Sequence, residues 1–296
     1  MNYRKLGNSL LNISEISLGC MSLPTDMKEA KYIIDAAIDM GINYFDTADL
    51  YDFGKNEEII GTLIKEKRDN IYIATKVGNR WTEGQEGWTW DASPSYIEQA
   101  VKESLKRLNT DYIDLYQLHG GTIQDDLSSV IDTFEKLKKE GYIREYGISS
   151  IRPNVFVPFT ENSNAISNMM QFNLLDRRAE EWFDYFEKQN VSVVTRGSIA
   201  KGLLSNNWQE RLSSYMSYSK EEVSTTLSQL QTHYNDLHAL AIAFNLHFPV
   251  ITSTVIGART KEQLLQNFRA YEESKKINDF AFATKILKKD LYTEHR

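Results

Sequence analysis

Short apolar runs alternate with amphipathic stretches along almost the whole chain. The apolar runs have the length and the branched or aromatic content of buried strands. Between them, apolar residues recur every three or four positions, as on one face of a helix. The predicted strands are Ile16–Cys20, Tyr44–Asp49, Tyr72–Lys76, Ile113–His119, Tyr146–Ser149, Met169–Leu174, Val191–Arg196 and Ser253–Ile256.

Capping residues mark the predicted helices. Thr25 and Asp26 suit the start of the first helix and Gly41 its end. Ser93 followed by proline opens another helix, with serine at the cap. The polar segment 203–221 is interpreted as a long loop. Further helices are predicted over Glu57–Lys67, Leu127–Gly141, Glu180–Lys188 and Leu227–Asn245. A short helix is predicted after Pro153, another helix begins at Lys261, and the last ~20 residues are predicted to form an extra helix.

The strand–helix alternation predicts the fold class. Near-continuous apolar strands favour parallel pairing, and eight strand–helix units in 296 residues favour a closed (β/α)8 TIM barrel. We expect one domain over residues 1–296, with an extra C-terminal helix. An open doubly wound sheet usually has a glycine fingerprint after its first strand, and the segment 18–24 lacks it.

Composition excludes several classes of protein. A net charge of −7 disfavours nucleic-acid and anionic-lipid partners. The single cysteine, Cys20, excludes an intrachain disulfide and a cysteine-rich zinc site. No apolar run suits a membrane span and no apolar signal region is apparent, so we expect a cytoplasmic protein. The polar residues 292–296 are interpreted as a free end, and the sequence leaves the oligomeric state open.

Ionisable residues follow several predicted strands, where the catalytic groups of a barrel lie. Asp46 and Tyr51 follow the second strand, Lys76 ends the third, and His119 ends the fourth. An ammonium close to a tyrosine hydroxyl favours the phenolate, and a carboxylate can hold that ammonium in place. Each residue alone could be structural, as a helix cap, a solvent-facing group or a hydrogen-bonded histidine. Their joint placement predicts a proton-donating tyrosine assisted by the other three.

Four segments resemble motifs of the aldo-keto reductase family: 43–51, 73–76, 113–119, and 255–259 with Gln263 and Asn267. The resemblance covers about residues 1–270, in the family's order. It implies NADP(H) bound across the barrel mouth, a small-molecule carbonyl substrate, and oxidoreductase activity. The catalytic residues it implies are Asp46, Tyr51, Lys76 and His119.

The resemblance also implies a set of cofactor-binding residues. Ser149, Ser150 and Gln171 are expected at the nicotinamide carboxamide, and Gly202 and Leu203 near the pyrophosphate. The remaining members are Arg196, Ser198, Lys201, Gly257, Arg259, Gln263 and Asn267.

Two of these positions depart from the family pattern. The family usually has asparagine where this chain has Ser150, and a ring-stacking tyrosine where it has Arg196. A hydroxyl can still bond the carboxamide, and a guanidinium can stack on a ring.

The residues around Arg259 independently suit an anion. Thr260 to Gln263 fits a capping box, and a helix N-terminus beside an arginine can bind phosphate. We therefore expect Arg259, Gln263 and Asn267 at the adenosine end, with a leaning toward the 2′-phosphate of NADP. The alternative is that Gln263 only caps the helix.

Aromatic residues in the predicted loops allow two interpretations. Trp81, Trp88 and Trp90 follow the third strand, and Trp208 and Tyr215 lie in the long loop. They form either an apolar substrate pocket or packing beneath the loops.

Two other functions compete with a reductase. One is a cofactor-binding regulatory protein of the same fold with little turnover, like the channel-associated members of the family. The other is a metal-dependent hydrolase using Asp46, Asp49 and His119, which lacks a second well-placed histidine.

Overall fold

The computed structural model describes residues 1–82 and 84–296. Eight parallel strands close into a barrel in which each strand pairs with its neighbours in the chain, and the eighth pairs with the first. The closed (β/α)8 barrel predicted from the sequence is therefore confirmed. The barrel strands are β1 (Ile16–Gly19), β2 (Tyr44–Asp46), β3 (Tyr72–Val77), β4 (Ile113–Leu118), β5 (Ile143–Ile148), β6 (Ser167–Gln171), β7 (Ser192–Arg196) and β8 (Ile251–Gly257).

Helices surround the barrel and bury their apolar faces against it. The inner face of α3 is buried where the three-to-four-residue spacing predicts, for example at Ile97 and Val101. The helices are α1 (Met27–Asp39), α2 (Lys55–Ile64), α3 (Pro94–Leu108), α4 (Leu127–Lys139), α5 (Pro153–Glu161), α6 (Phe183–Gln189), α7 (Lys220–Tyr234), α8 (Leu237–Leu246), α9 (Lys261–Ser274) and α10 (Ala281–Ile286).

The predicted caps start the helices as their chemistry requires. The Asp26 carboxylate accepts from the backbone N–H groups of Lys28 and Glu29 at the start of α1. The Ser93 hydroxyl accepts from the backbone N–H of Tyr96, with proline in the first turn of α3. These caps satisfy donors that have no partner within the helix.

The strand register brings the carboxyl ends of neighbouring strands to one rim. Gly19 pairs with Asp46, Asp46 pairs with Ala74, and Lys76 pairs with Gln117. Because the strands are parallel, the residues after β2, β3 and β4 all emerge at the same mouth.

An N-terminal hairpin belongs to the opposite end of the barrel, and the sequence pattern did not indicate it. Tyr3–Lys5 pairs antiparallel with Asn12–Ser14. Leu6, Leu11 and Ile13 from this hairpin are buried with inward side chains of the barrel strands. The mouth with the ionisable residues is therefore the open end.

Several predicted boundaries are wrong. The helix expected over 227–245 is two helices, α7 and α8, because Asn235 takes a left-handed φ of 62° and the Asp236 side chain caps a new start. The strand expected to reach residue 174 ends at Gln171. The final helix spans only Ala281–Ile286. The tail is packed against the protein, since Tyr292 is only 5% exposed.

Within the described part of the chain, no helix combines the length and apolar character that a membrane crossing requires.

Candidate functional site

A cavity of about 760 Å³ opens at the carboxyl ends of the barrel strands. Asp46, Tyr51, Lys76 and His119, which the sequence pattern singled out, all line it. They come from three consecutive strand ends, so the parallel register accounts for their meeting.

Lys76 and Asp46 form a buried ion pair at the floor of the cavity. The Lys76 Nζ lies 2.7 Å from the Asp46 Oδ1, and the side chains are 1% and 6% exposed. Nζ also donates to the Thr47 carbonyl at 2.6 Å. Burial alone would lower the pKa of the Lys76 ammonium, but Asp46 and then Tyr51 raise it above its ordinary value. The ammonium therefore stays charged although it is buried.

Tyr51 is held above this ion pair by a constrained turn. The Lys76 Nζ lies 5.1 Å from the centroid of the Tyr51 ring. The next two residues, Asp52 and Phe53, have left-handed φ values of 48° and 50°, which are uncommon for residues other than glycine. Trp81 supports the turn, since its Nε1 donates to the Asp49 carbonyl and its ring meets Phe53 edge-on. The turn thus directs Tyr51 into the cavity instead of along the strand.

His119 completes the group beside Tyr51. The two rings meet edge-on with centroids 6.1 Å apart. Burial, and then the positive charges of Lys76 and Arg196, lower the pKa of His119 from 6.5 to about 3. The imidazole is therefore neutral near pH 7 and can offer one hydrogen bond as a donor.

The predicted cofactor residues divide into two groups. One group lines the cavity: Ser149, Ser150, Gln171, Arg196, Lys201 and Gly257. The other lies outside its lining: Ser198, Gly202, Leu203, Arg259, Gln263 and Asn267.

The cavity group has features that suit an anionic dinucleotide. Arg196 and Lys201 bring positive charge to the wall. Outside the lining, the buried Ser198 hydroxyl has no hydrogen-bond partner among the described residues. At Gly257, a Cβ atom would lie 2.5 Å from the Ser22 Oγ, so glycine allows the Ser22 side chain to pack against the end of β8.

The start of α9 has the cap that the sequence predicts, with one difference. The Thr260 hydroxyl accepts from the Gln263 N–H at 3.2 Å. The side-chain Oε1 of Gln263 accepts from the Arg259 backbone N–H at 2.8 Å, one residue before the N-cap. Asn267 donates to the Gly257 carbonyl at 3.2 Å and so ties α9 to the end of β8. Gln263 thus acts as a cap here, while the Arg259 side chain remains exposed.

The aromatic loop residues serve both of the roles that the sequence left open. Trp88, Trp90 and Tyr215 line the cavity, so these three reach the predicted pocket. Trp208 is 3% exposed and packs into the core, and Trp81 supports the Tyr51 turn.

The sequence pattern did not single out several other residues of the cavity wall. They are Met21, Ser22, Leu50, Asn79, Thr122, Ile151 and Arg152. All lie within four residues after the end of a barrel strand, and this position was the only available signal.

Asp49 is buried away from the cavity lining, although it lies between Asp46 and Tyr51 in sequence. Neither carboxyl oxygen has a hydrogen-bond partner among the described residues. Burial, and then the charge of Glu57, raise the pKa of this carboxyl well above its ordinary value. Across residues 1–82 and 84–296, no three His, Cys, Asp or Glu side chains are grouped as a metal site requires.

Comparison with known proteins gives consistent matches over the whole barrel. The model of the Aldo/keto reductase family matches residues 15–288. The uncharacterized oxidoreductase YqkF of Bacillus subtilis is 49% identical over 305 residues, covering 100% of both chains. The solved holo form of aldo-keto reductase AKR11C1 from Bacillus halodurans is 46% identical, with a TM-score of 0.94 over 100% of this chain and 99% of that one. Its apo form is 42% identical, with a TM-score of 0.85 over the same shares.

Proposed function

The chain belongs to the aldo/keto reductase family of oxidoreductases, and we propose that it reduces aldehydes or ketones to alcohols with NADPH. The observation that carries the proposal is the buried Lys76–Asp46 pair beneath the Tyr51 ring, with a neutral His119 in the same cavity. A proton donor at the floor of an open cavity is what reduction of a carbonyl group requires.

The four residues would divide the chemistry as follows. Bound NADPH supplies the hydride. Tyr51 donates its hydroxyl proton to the carbonyl oxygen of the substrate as that oxygen gains negative charge. The Lys76 ammonium stabilises the resulting phenolate, and Asp46 keeps the ammonium oriented and charged. His119, being neutral, donates a hydrogen bond that orients the substrate carbonyl.

The cofactor assignment rests on the chemistry of the wall. Gln171, Ser149 and Ser150 offer amide and hydroxyl groups to a carboxamide, and Arg196 and Lys201 offer charge to phosphate groups. The similarity to the solved holo form of AKR11C1, with a TM-score of 0.94, supports a bound cofactor. The exposed Arg259 beside the start of α9 supports NADPH over NADH, because only NADPH has a 2′-phosphate for it to bind.

The test is turnover of purified protein with NADPH and 4-nitrobenzaldehyde, followed at the nicotinamide absorbance band. Tyr51→Phe should lose at least ~10²-fold in kcat, because it lacks the proton, and should still bind NADPH. Tyr32→Phe is the matched control, since this tyrosine is 53% exposed on α1 and does not line the cavity. Its rate should equal that of the wild type.

Other outcomes would point elsewhere. NADPH binding without turnover of any aldehyde or ketone would favour a cofactor-binding regulatory protein of the same fold. Wild-type turnover that survives in Tyr51→Phe would remove Tyr51 as the proton donor. Failure to bind NADPH would overturn the proposal.

A further inference from the structure

Gln171 lines the cavity at the end of β6, and its side chain is bonded to a residue outside the cavity lining, Asp176. The Gln171 Nε2 donates to the Asp176 Oδ2 at 2.7 Å. A carboxylate only accepts hydrogen bonds, so the amide nitrogen must face Asp176 and the amide oxygen must face away. The Arg196 Nη1 lies 3.3 Å from the Gln171 Oε1, which agrees with this orientation.

Asp176 is itself immobilised. Its carboxylate is almost fully buried and receives two hydrogen bonds from Arg178, Nε to Oδ1 at 2.8 Å and Nη2 to Oδ2 at 2.9 Å. The backbone groups of Asp176 and Asn173 bond each other in both directions at 3.1 Å, which closes the turn after β6. A bidentate arginine pair of this kind fixes both position and rotation of the carboxylate.

The C-terminal segment closes this arrangement from outside. The Arg178 guanidinium lies 4.9 Å from the centroid of the Tyr292 ring, and Tyr292 is buried. The Tyr292 N–H donates to Glu181 at 3.2 Å, and Arg296 pairs with the same carboxylate at 2.8 Å. The residues predicted to be a free end therefore cover the guanidinium that holds Asp176.

We propose that Asp176, Arg178 and Tyr292 are positioning residues that orient Gln171 and thereby set the strength of nicotinamide binding. The inference rests on the proposed function, because it needs the carboxamide as the group that Gln171 recognises. With one N–H of its amide committed to Asp176, Gln171 turns its amide oxygen away from Asp176, and that oxygen has a second lone pair beside its contact with Arg196. That acceptor matches an N–H of the carboxamide.

The experiment compares two ligands by calorimetry. NADPH contains the nicotinamide, whereas 2′-phospho-ADP-ribose has the same adenosine and phosphates without it. Asp176→Asn offers both a donor and an acceptor, so it no longer enforces the orientation of Gln171. We expect it to weaken NADPH binding about three- to tenfold, up to the ~1.4 kcal/mol of one hydrogen bond, and to leave 2′-phospho-ADP-ribose unchanged.

Further variants separate positioning from general damage. Tyr292→Leu should also weaken NADPH binding. Tyr292→Phe should bind NADPH as the wild type does, because the Tyr292 hydroxyl has no partner among the described residues. Gln171→Leu should weaken NADPH binding about tenfold. Adding Asp176→Asn to this variant should weaken binding little further. Asp184→Asn, an exposed aspartate on α6, is the control.

Each result bears on a different claim. Equal weakening of both ligands would show that Asp176 only supports the fold, and unchanged NADPH binding would show that the orientation of Gln171 is irrelevant. Either result overturns the inference and leaves the reductase proposal standing. Failure of the wild type to bind NADPH would overturn both.

Discussion

Lys76→Met tests how strongly the buried ion pair determines stability. The substitution keeps the length of the side chain but leaves the Asp46 carboxylate, at 6% exposure, without its partner at 2.7 Å. Breaking one side of a buried pair costs ~3–5 kcal/mol, because a desolvated charge remains. The Thr47 carbonyl also loses its donor. Asp46 can avoid being a buried, unpaired charge by taking up a proton at lower pH. The loss of stability in Lys76→Met should therefore grow as the pH rises from 5 to 8.

The assay is urea unfolding followed by tryptophan fluorescence, with the double variant Asp46→Asn/Lys76→Met as the diagnostic. Removing both charges leaves mainly the unpaired Thr47 carbonyl, a cost of ~1–3 kcal/mol, so the double variant should be more stable than Lys76→Met alone. Lys28→Met, at an exposed lysine on α1, should match the wild type. A loss under ~1 kcal/mol in Lys76→Met, or no recovery in the double variant, would refute the reasoning.

Three further predictions concern stability. The free energy of unfolding of Asp49→Asn should rise relative to that of the wild type as the pH increases. The reason is that the carboxyl has a raised pKa in the folded protein, so the wild type loses stability above the pKa of the unfolded state. Parallel curves of stability against pH would contradict this. His119→Gln should flatten the stability profile between pH 6.5 and 4, because only the unfolded imidazole takes up a proton there, ~1.4 kcal/mol per unit. An unchanged slope would exclude that reasoning. Gly61→Ala should cost ~1–3 kcal/mol in urea unfolding although alanine favours helices, because its Cβ would lie 2.4 Å from the Leu108 backbone. A stabilised variant would mean that α2 and α3 move apart easily.

The barrel could be predicted from the sequence because its signals are local. Apolar strands, amphipathic helices and caps such as Asp26 and Ser93 depend on neighbours a few residues away. Parallel closure then follows from the number and type of the units. The boundaries that failed, such as the break at Asn235, depend on a single left-handed residue that no periodic pattern reveals.

The meeting of Asp46, Tyr51, Lys76 and His119 was likewise predictable, since residues at consecutive ends of parallel strands must share a mouth. Their roles stay predictions until they are measured. The local pattern could not show that Asp49 is buried away from the mouth while Asp46, three residues earlier, lines it.

The amino-acid order alone thus established the fold class and the position of a polar mouth, because both follow from periodicity and short-range spacing. Only the tertiary structure could join Tyr292 to Arg178 and Asp176, and through them to Gln171. Contacts across more than a hundred residues form when the closed barrel brings the chain's distant segments together. Burial, which shifts the pKa of His119 and of Asp49, arises at the same step.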